Sequence, residues 1–420
     1  MHISAIIDRF RPALGSFEAF YQDIHQYPDL SRHEGRTASR VARQLRRLGF
    51  PEVYENIGGH GVVGVLFNGP GRTVMLRAEL DALPIREQTG LSYASSECVQ
   101  DENGDWVAVM HACGHDLHMA CLLAAAKLLF DARAEWSGNL VVLFQPDSVH
   151  LNGARSMVGD NLYDGVPKPD VIMTQHLGPS RSGTVGISGD TVVPSADHID
   201  IRIFTSKGHA ANPQVAVNGV AAACGIASQL EDLAQRVGGG LDASVEVEEI
   251  RGRAPRPDEA DHVDLALVVR AVDPAVRQRL FEGIKRLALD QCAAAGAHRE
   301  PQISRYAWPP AMENDKQLAA SVRQAFVQHF GAKRVLDGAP CPRCVDSSML
   351  SPQPPDARNL LWFLGQADPH AFRSARKAGR LLDAVPLEHS PLYAPVVHPT
   401  LETGMEALVV AVLLFLSWAR

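Results

Sequence analysis

No uninterrupted apolar run in this 420-residue chain reaches the length a bilayer requires. The longest such run, Ala407 to Leu416, falls short of the roughly 20 residues a membrane-spanning helix needs, so it reads as a packed C-terminal helix. The N-terminus, MHISAIIDRFRPALGSFEAF, lacks the uninterrupted apolar core of a secretory signal and reads as an amphipathic helix. No basic run interleaved with aromatics is present and the formal net charge is -8, which argues against nucleic acid as a partner. Repeats and low-complexity tracts are also missing. Cysteine is sparse and odd in number, with seven in all, which points to reduced thiols and a cytoplasmic setting. Cys341 and Cys344 have the spacing of a redox or zinc pair, but the second CxxC of a zinc ribbon is absent.

What is present is an ordinary globular composition, 46% hydrophobic and 21% charged, at a length that favours two domains. The first 185 residues alternate helix and strand. Thr37 to Leu48 has helical periodicity and stops at Gly49; Leu117 to Phe130 reads as a buried helix; Val62 to Phe67, Val74 to Leu76, Asn139 to Phe144 and Val171 to Thr174 read as strands. This rhythm predicts an α/β layer architecture with a mostly parallel sheet. Near Ser195 the pattern changes. His198 to Phe204 alternates like a half-buried antiparallel strand, Gly219 to Val237 is helical, Asp264 to Val272 is a strand, and Pro274 to Ala288 is a helix with proline in its first turn. These segments form an α+β insert. The α/β character then resumes, with a helix over Lys316 to Phe330 and a strand over Leu360 to Leu364.

The densest chemistry lies in Met110-His-Ala-Cys-Gly-His-Asp-Leu-His118, which puts His111, Cys113, His115, Asp116 and His118 just before a helix. Thiolate and imidazole suit Zn²⁺, and Mn²⁺ or Co²⁺ can use them too. His176 follows a strand at its C-terminal end, where α/β sheets hold their sites. His389 lies in a loop before the last helix. Taken alone, either histidine is more often structural than a ligand.

These segments, together with His25-Gln-Tyr-Pro-Asp-Leu-Ser31, Leu76-Arg-Ala-Glu-Leu-Asp-Ala-Leu-Pro84, Phe144-Gln-Pro146, Thr174-Gln-His176, Lys207-Gly-His209, and HSPLYAP followed by PTLETG, resemble the zinc aminoacylase and carboxypeptidase family. The branch is that of the hippurate hydrolases and auxin-conjugate amidohydrolases. The resemblance implies a catalytic domain from residues 1–190 and 306–420 and an inserted lid, residues 191–305, that often dimerises. It implies a small-molecule amide or N-acyl amino acid as substrate. By position it makes Cys113, His115, His176 and His389 metal ligands, Asp81 the acid supporting the metal site, and His209 the lid histidine that reaches the substrate carbonyl. A Gly-flanked loop exposes His209 on independent grounds.

The chain departs from the family where the family reads QPAEE. Here the stretch is Gln145-Pro-Asp-Ser-Val149, so the general base falls on Ser148 and a metal-binding glutamate on Val149. A serine hydroxyl takes no proton at neutral pH, and valine has no lone pair. The family's SED reads Cys344-Val-Asp346, the lid's Asn-Ile-Ile-Pro is replaced by Pro257-Asp-Glu-Ala260, and Glu79 stands where the branch has aspartate. If the 147–150 stretch is extended, Asp147 shares a side with Val149 and His150 with Ser148, so Asp147 and His150 are candidates to compensate. These features predict one tight zinc or manganese ion. They leave three readings open: a slow or compensated amidohydrolase, a scaffold repurposed for condensation, cyclisation or isomerisation, and a non-catalytic binding homologue.

Overall fold

The computed structural model describes the chain apart from residues 1–2, 102–103, 190, 194, 206–217, 239–242, 253–261, 272, 308–310, 339–344, 353–356, 381–384 and 419–420. The chain divides into two compact units. The first comprises Met1–Val192, Glu313–Ala339 and Val345–Arg420, and the second contains Val193–Met312.

The first unit is built on one large sheet. Its strands lie in the order Glu52–Ile57, Gly61–Asn68, Trp136–Gln145, Thr73–Glu79, Val171–Arg181, Arg358–Ala367, Val185–Ile187, Val335–Asp337. The four central strands of this order, from Trp136–Gln145 to Arg358–Ala367, run parallel. Parallel strands must be covered on both faces, and the sequence supplies the apolar surface for it. Val74, Leu76, Leu140 and Val142 point to one core, while Met75, Val141, Leu143 and Ile172 point to another on the opposite face. On the first face the helix His115–Asp131 is buried almost along its whole length and packs against the helices Gly15–Gln26 and Val397–Phe415. Val397–Phe415 is long and apolar enough to cross a membrane by length and composition, but most of its apolar residues lie inside this core.

The second unit has a four-stranded antiparallel sheet in the order Ala243–Gly252, His262–Ala271, Ala196–Phe204, Gln302–Ala307. Its helices Gly219–Ala227, Leu230–Gly238 and Pro274–Ala294 cover one face through Ile199, Ile201, Ile203, Leu265, Leu280 and Ile284. The single helix expected from Gly219 to Val237 is two, broken at Ser228, whose hydroxyl turns back to the Gly225 carbonyl. The strand Ala243–Gly252 is an edge with its charged residues in solvent, which is why its apolar signal is weak.

Candidate functional site

Three parallel strands deliver the site, two at their carboxyl ends; His176 lies midway along the third and not beyond its end as the sequence suggested, because pairing with Arg358–Ala367 carries that strand on to Arg181. The strand Thr73–Glu79 ends on Glu79 and runs on to Asp81; the strand Trp136–Gln145 runs into Pro146 to Val149; and the strand Val171–Arg181 carries His176. The loop Met110–Gly114 then enters the site helix. Gly114 has a φ of 74°, and a β-carbon there would lie 2.3 Å from Leu177 Cδ1, so glycine is needed for this entry. The helix begins at His115, and His118 follows one turn later on the same side. The donor atoms of Glu79, His115, His118 and His176 all lie within 4.8 Å of one another.

Hydrogen bonds decide which of these can bind a cation. His118 is used at both ring nitrogens: Nδ1 meets Glu79 Oε2 at 2.9 Å, and Nε2 accepts from the Leu177 N–H at 3.1 Å. Burial pushes its conjugate acid down to about 4, against the pull of Glu79, so it is neutral and holds Glu79 in place. His115 turns Nδ1 to the Asp81 carbonyl at 2.8 Å, with Asp81 Oδ1 at 3.2 Å, which leaves Nε2 for a metal. His176 turns Nδ1 to the Leu177 carbonyl at 3.1 Å, which likewise leaves Nε2. Two imidazoles with committed Nδ1 atoms beside a buried carboxylate fit a divalent transition ion.

The local field favours a cation. Burial alone would raise Glu79, but Arg77 and the two imidazoles outweigh it and hold the carboxylate ionised. Asp81 is fully buried and saturated: Ser31 Oγ donates at 2.7 Å, Ser148 Oγ at 2.6 Å and the Val149 N–H at 2.8 Å. These bonds and His115 hold it far below the usual carboxylate range in spite of burial. His115 in turn is lifted to about 9, because Glu79 and Asp81 overcome the cost of burying its charge. Arg77 bridges Glu79, at 2.5 Å, and Asp346, at 3.1 Å, and Gln145 also donates to Asp346.

The residues singled out in the sequence fall as follows. His115 and His176 come together, and Asp81 stands behind His115. Cys113 is buried in the loop leading to the helix, outside the 4.8 Å group. His389 is exposed with a φ of 66°, and its N–H bonds to the Ala112 carbonyl at 2.9 Å. His209, Cys341 and Cys344 lie outside the described residues. The 147–150 stretch is not extended but turns, with Asp147 at a φ of 48° and the Leu151 N–H closing onto the Ser148 carbonyl at 3.0 Å. The expected alternation therefore does not arise. Asp147 pairs with His150 at 2.6 Å and with Arg32 at 3.2 Å, while Ser148 points to Asp81.

Four residues of the site were not assigned roles from the sequence. Glu79 and Asp81 are two apart on an extended segment, a spacing that signals a shared side. His118 had its signal in the three-residue spacing from His115. Glu388 brings its carboxylate 3.6 Å from His176 Nδ1, with only 8% of its side chain exposed. Glu34 is fully buried. Its Oε1 accepts the Arg32 and Asp147 N–H groups, its Oε2 has no partner among the described residues, and burial together with Asp81 raises it to about 7. Behind the helix start, His25 is clamped between Asp116 at 2.7 Å and Glu87 at 3.0 Å.

Peptidase family M20/M25/M40 matches residues 75–372. The hippurate hydrolase of Campylobacter jejuni is 31% identical over 321 residues, covering 76% of this chain and 80% of that protein. The N-acyl-L-amino acid amidohydrolase of Geobacillus stearothermophilus is 30% identical over 304 residues, covering 71% and 78%. The crystal structure of the Bacillus subtilis YXEP protein, described as a dinuclear metal-binding peptidase, superposes with a TM-score of 0.70 at 22% identity, covering 97% of this chain and 99% of that one. With its matched span, its hydrolase relatives and its two-unit fold, this chain belongs to the M20/M25/M40 peptidase family.

Proposed function

We propose that the chain is a metal-dependent amidohydrolase acting on an N-acyl amino acid or a related amide. The observation that carries this reading is the pair His115 and His176, each with Nδ1 engaged and Nε2 left for zinc or manganese, beside the buried Glu79. Cys113 and His389 are further candidate ligands on the adjoining loops. A bound divalent ion supplies Lewis acidity toward a carbonyl and acidifies water. Asp81 fixes the His115 tautomer and ring orientation. His209 is assigned the role of donating to the substrate carbonyl oxygen, and a dimer formed through residues 191–305 belongs to the same reading.

Ser148 and Val149 shape the rate. Ser148 spends its hydroxyl on Asp81, and Val149 packs against the apolar core. No carboxylate at these two positions takes a proton from water, and loss of a placed base costs roughly 10²- to 10⁴-fold. The same observation favours a second reading, in which the scaffold joins or rearranges an acyl group instead of passing it to water. The test is metal content per chain measured beside a panel of N-acyl amino acids, with products identified by mass spectrometry with and without an added amine. One tightly held ion and slow release of the free amino acid support hydrolysis. Acyl transfer to the amine without hydrolysis supports the second reading. Failure to bind metal under replete conditions refutes both.

A further inference from the structure

We infer that Glu388 is a positioning residue for the metal-binding imidazole of His176. This rests on the metal-centre reading above. His115 is backed at Nδ1 by the Asp81 carbonyl and carboxylate. His176 has a counterpart: its Nδ1 faces the Leu177 carbonyl at 3.1 Å and the Glu388 carboxylate at 3.6 Å. The two imidazoles face each other edge-on with centroids 6.1 Å apart, and each has a carboxylate near its Nδ1, Asp81 at 3.2 Å and Glu388 at 3.6 Å. A carboxylate behind a ligating histidine fixes the tautomer with Nε2 free, holds the ring plane, and makes the nitrogen a stronger donor.

The backbone explains why Glu388 and not its neighbour takes this place. His389 adopts a φ of 66°, a left-handed conformation that a residue with a β-carbon seldom takes. Its N–H is tied to the Ala112 carbonyl in the loop that carries Cys113. This turn leaves His389 exposed and Glu388 inward, with its side chain 8% and that of His176 12% exposed. A carboxylate is rarely buried unless something cationic justifies it. The His176 ring lies within its reach at 3.6 Å.

The experiment measures Zn²⁺ affinity of the full chain by competition with a chromophoric chelator, and the visible absorption of the Co²⁺-loaded protein, for the parent, Glu388→Ala and Glu388→Gln. Metal-free melting controls for folding. Glu388→Ala is expected to weaken Zn²⁺ about 10- to 100-fold and to alter the Co²⁺ bands. Glu388→Gln keeps an acceptor but no charge and falls between the parent and Ala. Metal-free melting stays within a few degrees of the parent. Equal affinities and unchanged Co²⁺ bands in parent and Glu388→Ala overturn the assignment. A parent chain that binds no Zn²⁺ or Co²⁺ instead overturns the metal-centre reading itself.

Discussion

His25 is 1% exposed and lies between two carboxylates, Asp116 at 2.7 Å and Glu87 at 3.0 Å. Burial alone would strip its proton, but the two acids outweigh burial and raise it to about 10. Against about 6.5 in an unfolded chain, this corresponds to roughly 5 kcal/mol of linkage. That agrees in size with the roughly 3–5 kcal/mol lost when one partner of a buried ion pair is removed. The folded value lies above the unfolded one, so the stabilisation is complete below about pH 6.5, declines as pH rises, and is gone above about 10. Between pH 6 and pH 8 the loss is about 2 kcal/mol, since only the unfolded chain has released its proton by then. Asp116 and Glu87 are both shifted downward, so their own contribution is lost only in acid and does not overlap this window.

His25→Gln should therefore melt far below the parent at pH 6 and much closer to it at pH 9. A gap of roughly 10 °C or more at pH 6 is expected for a domain of this size, from about 2–4 °C per kcal/mol. The comparison of parent with variant at each pH cancels the titration of other groups. Urea denaturation at the same pH values gives the free energies directly. A gap that stays constant from pH 6 to pH 9 refutes the reasoning, because it would mean that His25 contributes packing against Tyr21 and Tyr93 rather than charge. The functional stake is local. Asp116 sits in the first turn of the site helix beside His115, while Glu87 also accepts from Thr89 and from the Ser95 N–H. One imidazolium thus joins the start of the site helix to the loop that follows Asp81.

Three further outcomes follow from the same contacts. Restoring both acids, Ser148→Glu with Val149→Glu, should raise hydrolysis of N-acyl amino acids by about 10²-fold or more, while costing about 1–3 kcal/mol of metal-free stability through the lost Asp81 bond and core contact; turnover and melting read the two effects separately. Arg77→Met leaves Glu79 and Asp346 buried without their shared cation, and should cost about 3–5 kcal/mol by urea denaturation. Gly114→Ala places a β-carbon against Leu177 at a φ of 74°, and should cost about 1–2 kcal/mol and weaken metal binding, seen by melting and metal titration.

The fold was legible because the apolar pattern is strong where strands are covered on both faces. The helix Lys316–Phe330 lies where its periodicity placed it, with Asp315 capping its start through the Leu318 N–H. The edge strand Ala243–Gly252 and the short hairpin Cys98–Gln100 with Trp106–Ala108 escaped, since their side chains are mostly exposed or half-buried and leave no clean alternation. In the site, His115 stood out within a dense motif, and His176 was singled out through the family resemblance. The direction of Glu388 and His389 could not be read, because it depends on one left-handed residue pinned to Ala112. Nor could the turn at Asp147, because Glu34 sets it by accepting the Asp147 N–H across a distance of 113 residues.

Ser148 and Val149 also bear on how much negative charge the site can hold without an ion. Glu79 and Asp81 are both buried and together lift His115 to about 9, while burial, with Asp81 adding to it, raises Glu34 to about 7. A divalent ion held by His115, His176 and Glu79 would take the place of the His115 proton and relieve the same field. Two added glutamates beside Asp81 would increase that repulsion in the empty site and increase the attraction in the filled one. Because a ligand that binds only the folded state stabilises it in proportion to its affinity and concentration, the restored double variant should be less stable than the parent when stripped of metal and more strongly stabilised by saturating Zn²⁺. Parallel melting curves for the two proteins, with and without the ion, would show that the charge at 148 and 149 does not reach the metal centre.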